Sequence, residues 1–261
     1  MYNILIVSAL SAELKEVKKE IKSLNLSDFK ISYLVSEMSN YNMIYNLTRF
    51  LEQNRSFDFI INIWVCGYKQ EKIDLIQVWR IKNIINNKEL IVPNFLDFSS
   101  VESIISSEKI IYDKKEIWEE NFVDMESFWF EFVSEKFNLP RLILKIPVDK
   151  IWEETKNFDY NKAKKYLREN IDYKKLFEKI WEFLLKNNSG DKDLEKYFQV
   201  LNLTETQKTI FERLYNKYDV LVWNNFDDYL NKFLENFKEK KLQKNDVKKF
   251  LKNLENFLED K

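Results

Sequence analysis

The chain contains no histidine and one cysteine, Cys66. Without histidine, no Ser–His or Cys–His nucleophile system can be assembled, and a zinc site loses its commonest nitrogen ligand. A lone cysteine forms no internal disulfide and fits a reducing cytosol. Glycine and proline are nearly absent as well, at 2 and 3 among 261 residues. There is no G-x-G-x-x-G and no P-loop, so the common backbone cradles for phosphate are missing. With 42 basic against 43 acidic residues, the net charge of −1 supplies no field to attract nucleic acid or an anionic membrane. No apolar run approaches the roughly 20 residues needed to cross a bilayer, and MYNILIVSAL has no basic start of the kind signal peptides carry. The expectation is a cytoplasmic protein without metal or cofactor. Its acid–base chemistry falls to carboxylates, Lys, Tyr or Cys66.

What the chain does have is apolar and aromatic residues, at 45% and 16%. Tyr2–Ser8 reads as a strand buried on both faces, followed by a helix with Ser11 as its N-cap. Strands are expected at Phe29–Ser36, Phe57–Cys66 (ended by Gly67), Leu75–Ile81, Leu90–Val92, Ser103–Tyr112, Phe122–Asp124 and Leu139–Val148. Helices are expected at Tyr41–Gln53 and Glu126–Phe137. The alternation predicts a mixed α/β sheet flanked by helices over residues 1–155. From about Ile151 the apolar spacing turns helical and remains so, which predicts an all-α region over 156–261. Its stripes are Leu176, Phe177, Ile180, Trp181 and Leu184; then Ile210, Phe211, Leu214, Tyr215 and Tyr218; then Phe226 to Phe237; then Val247 to Leu258. NNSGD breaks the first, and Thr204 with Gln207 forms a capping box before the second.

The segment FVDMESFWFEFVSEKFNLPRLILKIPVD, residues 122–149, places an acid at each of two strand ends, Glu126 and Asp149. Such positions bind ligands in open α/β sheets, although acids there also cap helices. VDMES before a helix and NLPRLILKIPVD after it resemble the C-terminal half of the purine nucleoside phosphorylase/nucleosidase superfamily, nearest to methylthioadenosine/S-adenosylhomocysteine nucleosidases. NILIVSALSAEL, NYNMIYNLTRFLEQNRSFDFIINIWVCGY and IISSEKII resemble further segments of that family in the same order. The resemblance implies a nucleoside phosphorylase-like fold, a homodimer, and hydrolysis of the N-glycosidic bond of a purine nucleoside or a related one. It implies that Glu13 polarises the attacking water, that Met125 and Glu126 hold the ribose, and that Asp149 protonates the leaving base. Gly67, Ile110 and Ile111 would line the pocket. The chemistry is coherent without histidine: an oxocarbenium-like state needs an acid at the leaving group and an anion near the water.

The chain also departs from the family. Trp64 and Val65 stand where a Gly-rich turn is usual, Ser39-Asn40-Tyr41-Asn42 replaces a glycine before the second helix, and a histidine lent by the partner subunit has no counterpart. These changes support an alternative reading, a member that no longer catalyses and acts as a ligand-binding or scaffold module. In that reading the C-terminal helices meet a protein partner.

Overall fold

A computed structural model describes residues 1–54, 56–70, 72–117, 120–151, 158–188, 194–205, 207–208, 210–211, 214–215, 230 and 244–259. Of the expected features, Gly190, Tyr218 and all of the Phe226–Phe237 stripe except Leu230 lie outside these residues, as do the side chains of Leu254 and Leu258.

The ILIV run makes β1 (Tyr2–Ser8) the centre of a parallel trio, with β2 (Phe29–Val35) on one side and β3 (Phe59–Tyr68) on the other. β4 (Ile76–Asn83), β5 (Glu89–Ile91), β6 (Ser100–Ser106), β7 (Phe122–Asp124) and β8 (Arg141–Lys150) complete an eight-stranded mixed sheet. β8 runs parallel to β3 and antiparallel to β4, β4 pairs β6, β6 pairs β7, and β7 returns to β3. These strands therefore close into a ring, whose C-terminal strand ends converge on Gly67, Asp124 and Asp149. Pro147 is accommodated on β8 beyond the last β4 partner, Lys145, where the strand needs one fewer donor.

Helices cover both faces because each carries an apolar stripe. α1 (Ser11–Lys22) buries Leu14, Val17 and Ile21, each stabilising by about 1.5–3 kcal/mol. α4 (Tyr160–Glu169) and α5 (Tyr173–Asn188) pack into the same layer through Ala163, Leu167, Leu176, Phe177, Ile180 and Leu184. On the other face α2 (Asn40–Gln53) and α3 (Ser127–Lys136) bring Met43, Leu47, Phe128, Phe130 and Val133 against Leu5, Val7 and Ile143.

The helical region is expected from 156. The chain divides into compact units at Leu185/Lys186, and within the first unit α4 and α5 share the layer of α1, with their stripes in the α/β core. Several element ends shift too. Ser11 is the first helical residue, with Leu10 at the N-cap. Gly67 lies within β3, which continues to Tyr68. The strand expected to reach Tyr112 stops at Ser106, where Ser107 Oγ accepts from Lys109 N at 3.2 Å and turns the chain.

The second unit, described by itself, includes α6 (Leu194–Leu201) and α7 (Lys244–Glu259). Tyr197, Leu201, Phe211, Leu214, Tyr215, Leu230, Val247, Phe250 and Leu251 form its buried cluster. The capping box is present: Gln207 Oε1 accepts from Thr204 N at 3.0 Å, and Gln207 N donates to Thr204 Oγ1 at 3.4 Å. No helix among the described residues is long and apolar enough to cross a membrane.

Candidate active site

A cavity of about 240 Å³ opens at the ends of β3, β7 and β8. Glu13, Gly67, Ile110, Ile111, Met125, Glu126 and Asp149, the residues singled out in the sequence, all line it. Trp64 and Val65 form part of its wall without filling it.

Each acid arrives by a different local device. Glu13 sits in the first turn of α1 and is 1% exposed. Neither of its carboxylate oxygens has a hydrogen-bond partner among the described residues. Loss of solvation, then the neighbouring Glu126 carboxylate, push Glu13 up to about 8, against the opposing pull of Lys145 and Lys164. Glu126 stands at the N-cap position of α3 but makes no side-chain capping bond. It accepts instead from Met125 N at 3.2 Å. Burial, then the charge on Asp124, raise Glu126 to about 7, opposed by Lys145 and by backbone N–H bonds from Met125 and Ser39.

Asp149 lies on β8 and pairs with Gly67 across a bulge between Cys66 and Gly67, which gives β8 one extra residue. Such a bulge alters the pleat and re-aims the side chains beyond it. Gly67 is required by packing and not by a left-handed backbone: a Cβ there would lie 3.2 Å from both Ile151 Cγ1 and Val123 Cγ1. Ile110 is half exposed at the rim while Ile111 is buried. Cys66 also reaches the cavity, and burial raises its thiol well above the usual value, which keeps it protonated.

Two residues not singled out in the sequence complete the floor. Lys145 Nζ lies 2.7 Å from Asp124 Oδ2, with both side chains essentially out of solvent. Asp124 also accepts from Ser127 N at 3.1 Å and from Ser127 Oγ, and so takes the capping role left open by Glu126. A lysine inside the apolar run LILKIPV was the available signal, because a charge in a doubly covered strand needs a buried partner. Among the described residues no group of three or more His, Cys, Asp or Glu is placed to hold a metal ion.

This arrangement, a closed mixed sheet between helical layers, is a nucleoside phosphorylase-like fold. In structure the chain is similar to the 5′-methylthioadenosine/S-adenosylhomocysteine nucleosidase of Campylobacter jejuni, with a TM-score of 0.56 over 71% of this chain and 100% of that one, at 14% identity. It is also similar to a mutant futalosine hydrolase of Helicobacter pylori, with a TM-score of 0.55 over 66% and 100% of the two chains at 14% identity. A third similar structure is the Streptococcus pneumoniae nucleosidase of the methylthioadenosine/S-adenosylhomocysteine type in complex with 8-aminoadenine, with a TM-score of 0.54 over 65% and 96% at 14% identity. At these identities the likeness is one of fold. No protein-family model matches the chain, and no curated protein matches it in sequence.

Proposed function

We propose that the protein hydrolyses the N-glycosidic bond of a nucleoside, with a purine as the base, and that it works as a homodimer. One observation carries the reading: Glu13, Glu126 and Asp149, far apart in sequence, line a single cavity with apolar walls. Glu126 accepts from ribose hydroxyls, with Met125 beside it. Asp149 donates a proton to the departing base. Glu13, once ionised, draws a proton from the water that attacks C1′ as the sugar becomes oxocarbenium-like. Water is preferred to phosphate as the nucleophile, because no arginine lines the cavity among the described residues and the chain has no Gly-rich phosphate cradle.

The test is incubation of the full chain with a panel of purine nucleosides, following free base by chromatography. Base release that falls about 10²–10⁴-fold in both Glu13→Gln and Asp149→Asn supports the roles assigned. No release from any nucleoside, or release unaffected by Glu13→Gln, counts against them. Light scattering after size exclusion tests the dimer, and a clean monomer contradicts it.

A further inference from the structure

The cavity combines two kinds of surface. Its polar wall is acidic, formed by Glu13, Asp124, Glu126 and Asp149. Glu13 is fully buried there with both oxygens unpartnered among the described residues. Its other wall carries the aromatic rings of Trp64, Phe158 and Tyr160, the last two edge to face at 4.9 Å. Positive charge is scarce. Among the described lining residues Lys109 is the one cation, and it points to the surface, 70% exposed and 2.7 Å from Glu116. Behind the wall Lys145, held by Asp124, acts on both Glu13 and Glu126, and Lys164 of α4 acts on Glu13, yet burial of the two acids outweighs both. A buried acid without a partner and a set of aromatic faces share one preference: each gains from a positive charge that arrives with little water around it.

We propose that the base of the preferred substrate carries a fixed positive charge, as in an N7-alkylated purine or a pyridinium riboside. The proposal rests on the hydrolytic reading above and sets the charge of the base ahead of its ring type. With such a base the leaving nitrogen needs no proton, so Asp149 acts on it as a charge partner, and its role as acid is kept for uncharged purines. The C1′–N bond breaks with both electrons passing to the base, which departs neutral. The sugar cation takes the oxygen of water, and a water proton passes to the Glu13 carboxylate and then to solvent. Cationic nucleoside and water thus become neutral base, free sugar and one proton. The same charge acts before the chemistry. Burial holds Glu13 and Glu126 protonated near neutral pH. A cation arriving beside them favours their ionised forms, so it binds with release of a proton.

The test uses the full chain in two arms at pH 6.5. The first is calorimetry in two buffers of different ionisation enthalpy, with the carbocyclic analogue of nicotinamide riboside, a pyridinium whose C1′–N bond is not glycosidic and is not cleaved, and with benzamide riboside, an uncharged C-glycosidic counterpart. The expected result is binding of the cation at least about tenfold tighter, with proton release confined to it. Equal affinities, or no released proton, overturn the proposal. The second arm compares base release from 7-methylguanosine and guanosine, with 7-methylguanosine expected at least about tenfold faster in kcat/KM. Guanosine cleaved as fast or faster overturns the charge preference and leaves hydrolysis standing. Cation-selective binding with no base released from either nucleoside keeps the preference and removes the hydrolytic reading.

Discussion

Lys145 on β8 and Asp124 at the end of β7 form an ion pair at 2.7 Å beneath the cavity floor, with side chains 0% and 1% exposed. The pair fixes the electrostatics above it. Lys145 is a positive charge felt by both Glu13 and Glu126, while Asp124 pushes Glu126 the other way. Removing either partner leaves an uncompensated charge in a place water does not reach. Lys145→Met is therefore expected to cost about 3–5 kcal/mol, with the Asp124→Leu/Lys145→Met double variant recovering most of it. Urea denaturation of the variants measures this, and a single-variant cost below about 1 kcal/mol means the pair is solvated.

The raised acids make stability depend on pH in a definite direction. Glu13 at about 8 and Glu126 at about 7 both stand above the ordinary carboxylate value of 4.5. Between those values the folded protein holds protons that the unfolded chain has released. The contribution is therefore whole below pH 4.5 and is lost as pH rises through 7 and then 8. Glu13→Gln, neutral at every pH, is expected to melt near wild type at about pH 5 and above it at about pH 9. Thermal melts across this range check the sign, and a variant less stable than wild type at the alkaline end contradicts the burial of an unpartnered acid.

Catalysis is expected to follow the same ionisation in the opposite sense. If Glu13 must be charged to accept a proton, kcat/KM rises with pH up to about 8. Glu13→Asp, which keeps the carboxylate, is expected to retain a rising limb, whereas Glu13→Gln loses it. A profile flat between pH 6 and 9 removes Glu13 from the role of base.

Gly67 is a packing position. Its Cβ in Gly67→Ala would sit 3.2 Å from Ile151 Cγ1 and Val123 Cγ1, closer than ordinary contact, at the residue that pairs with Asp149. The expected cost is about 1–3 kcal/mol, accompanied by lower activity as the β3–β8 pairing shifts. Denaturation midpoints read the first effect and base release the second.

Ser39 holds the converse lesson. It caps α2 at φ 102°, a region where side chains are strained, and its Oγ accepts only weakly, from Asn42 N at 3.4 Å. Ser39→Gly is expected to stabilise by about 0.5–1 kcal/mol, since the strain relieved exceeds the weak cap and the added freedom of the unfolded chain. A loss of stability means that the cap outweighs the strain.

Much of this architecture could be read from spacing alone. The ILIV and FIINIW runs announce strands covered on both faces, and Leu14, Val17 and Ile21 announce a helix against them. Glu13 and Glu126 were legible because they fall where a strand gives way to a helix, and Asp149 because it lies near the end of the last strand. What sequence could not give was the partner of each buried charge, since Asp124 and Lys145 meet only when β7 and β8 flank β3. The bulge at Gly67 was hidden for the same reason: register between strands is a property of the closed sheet. The helical stripe of α5 is plain in the sequence, but that the sheet is what covers it is not, because periodicity reports that a face is buried and not what buries it.

The most direct test of the cavity's chemistry is a turnover of a cleavable nucleoside in ¹⁸O-enriched water without phosphate, with mass analysis of the sugar. The account predicts one ¹⁸O at C1 of free ribose, with formation of the labelled sugar nearly abolished in Glu13→Gln. Sugar phosphate formed only when phosphate is supplied, or labelled ribose produced equally well by Glu13→Gln, would contradict it.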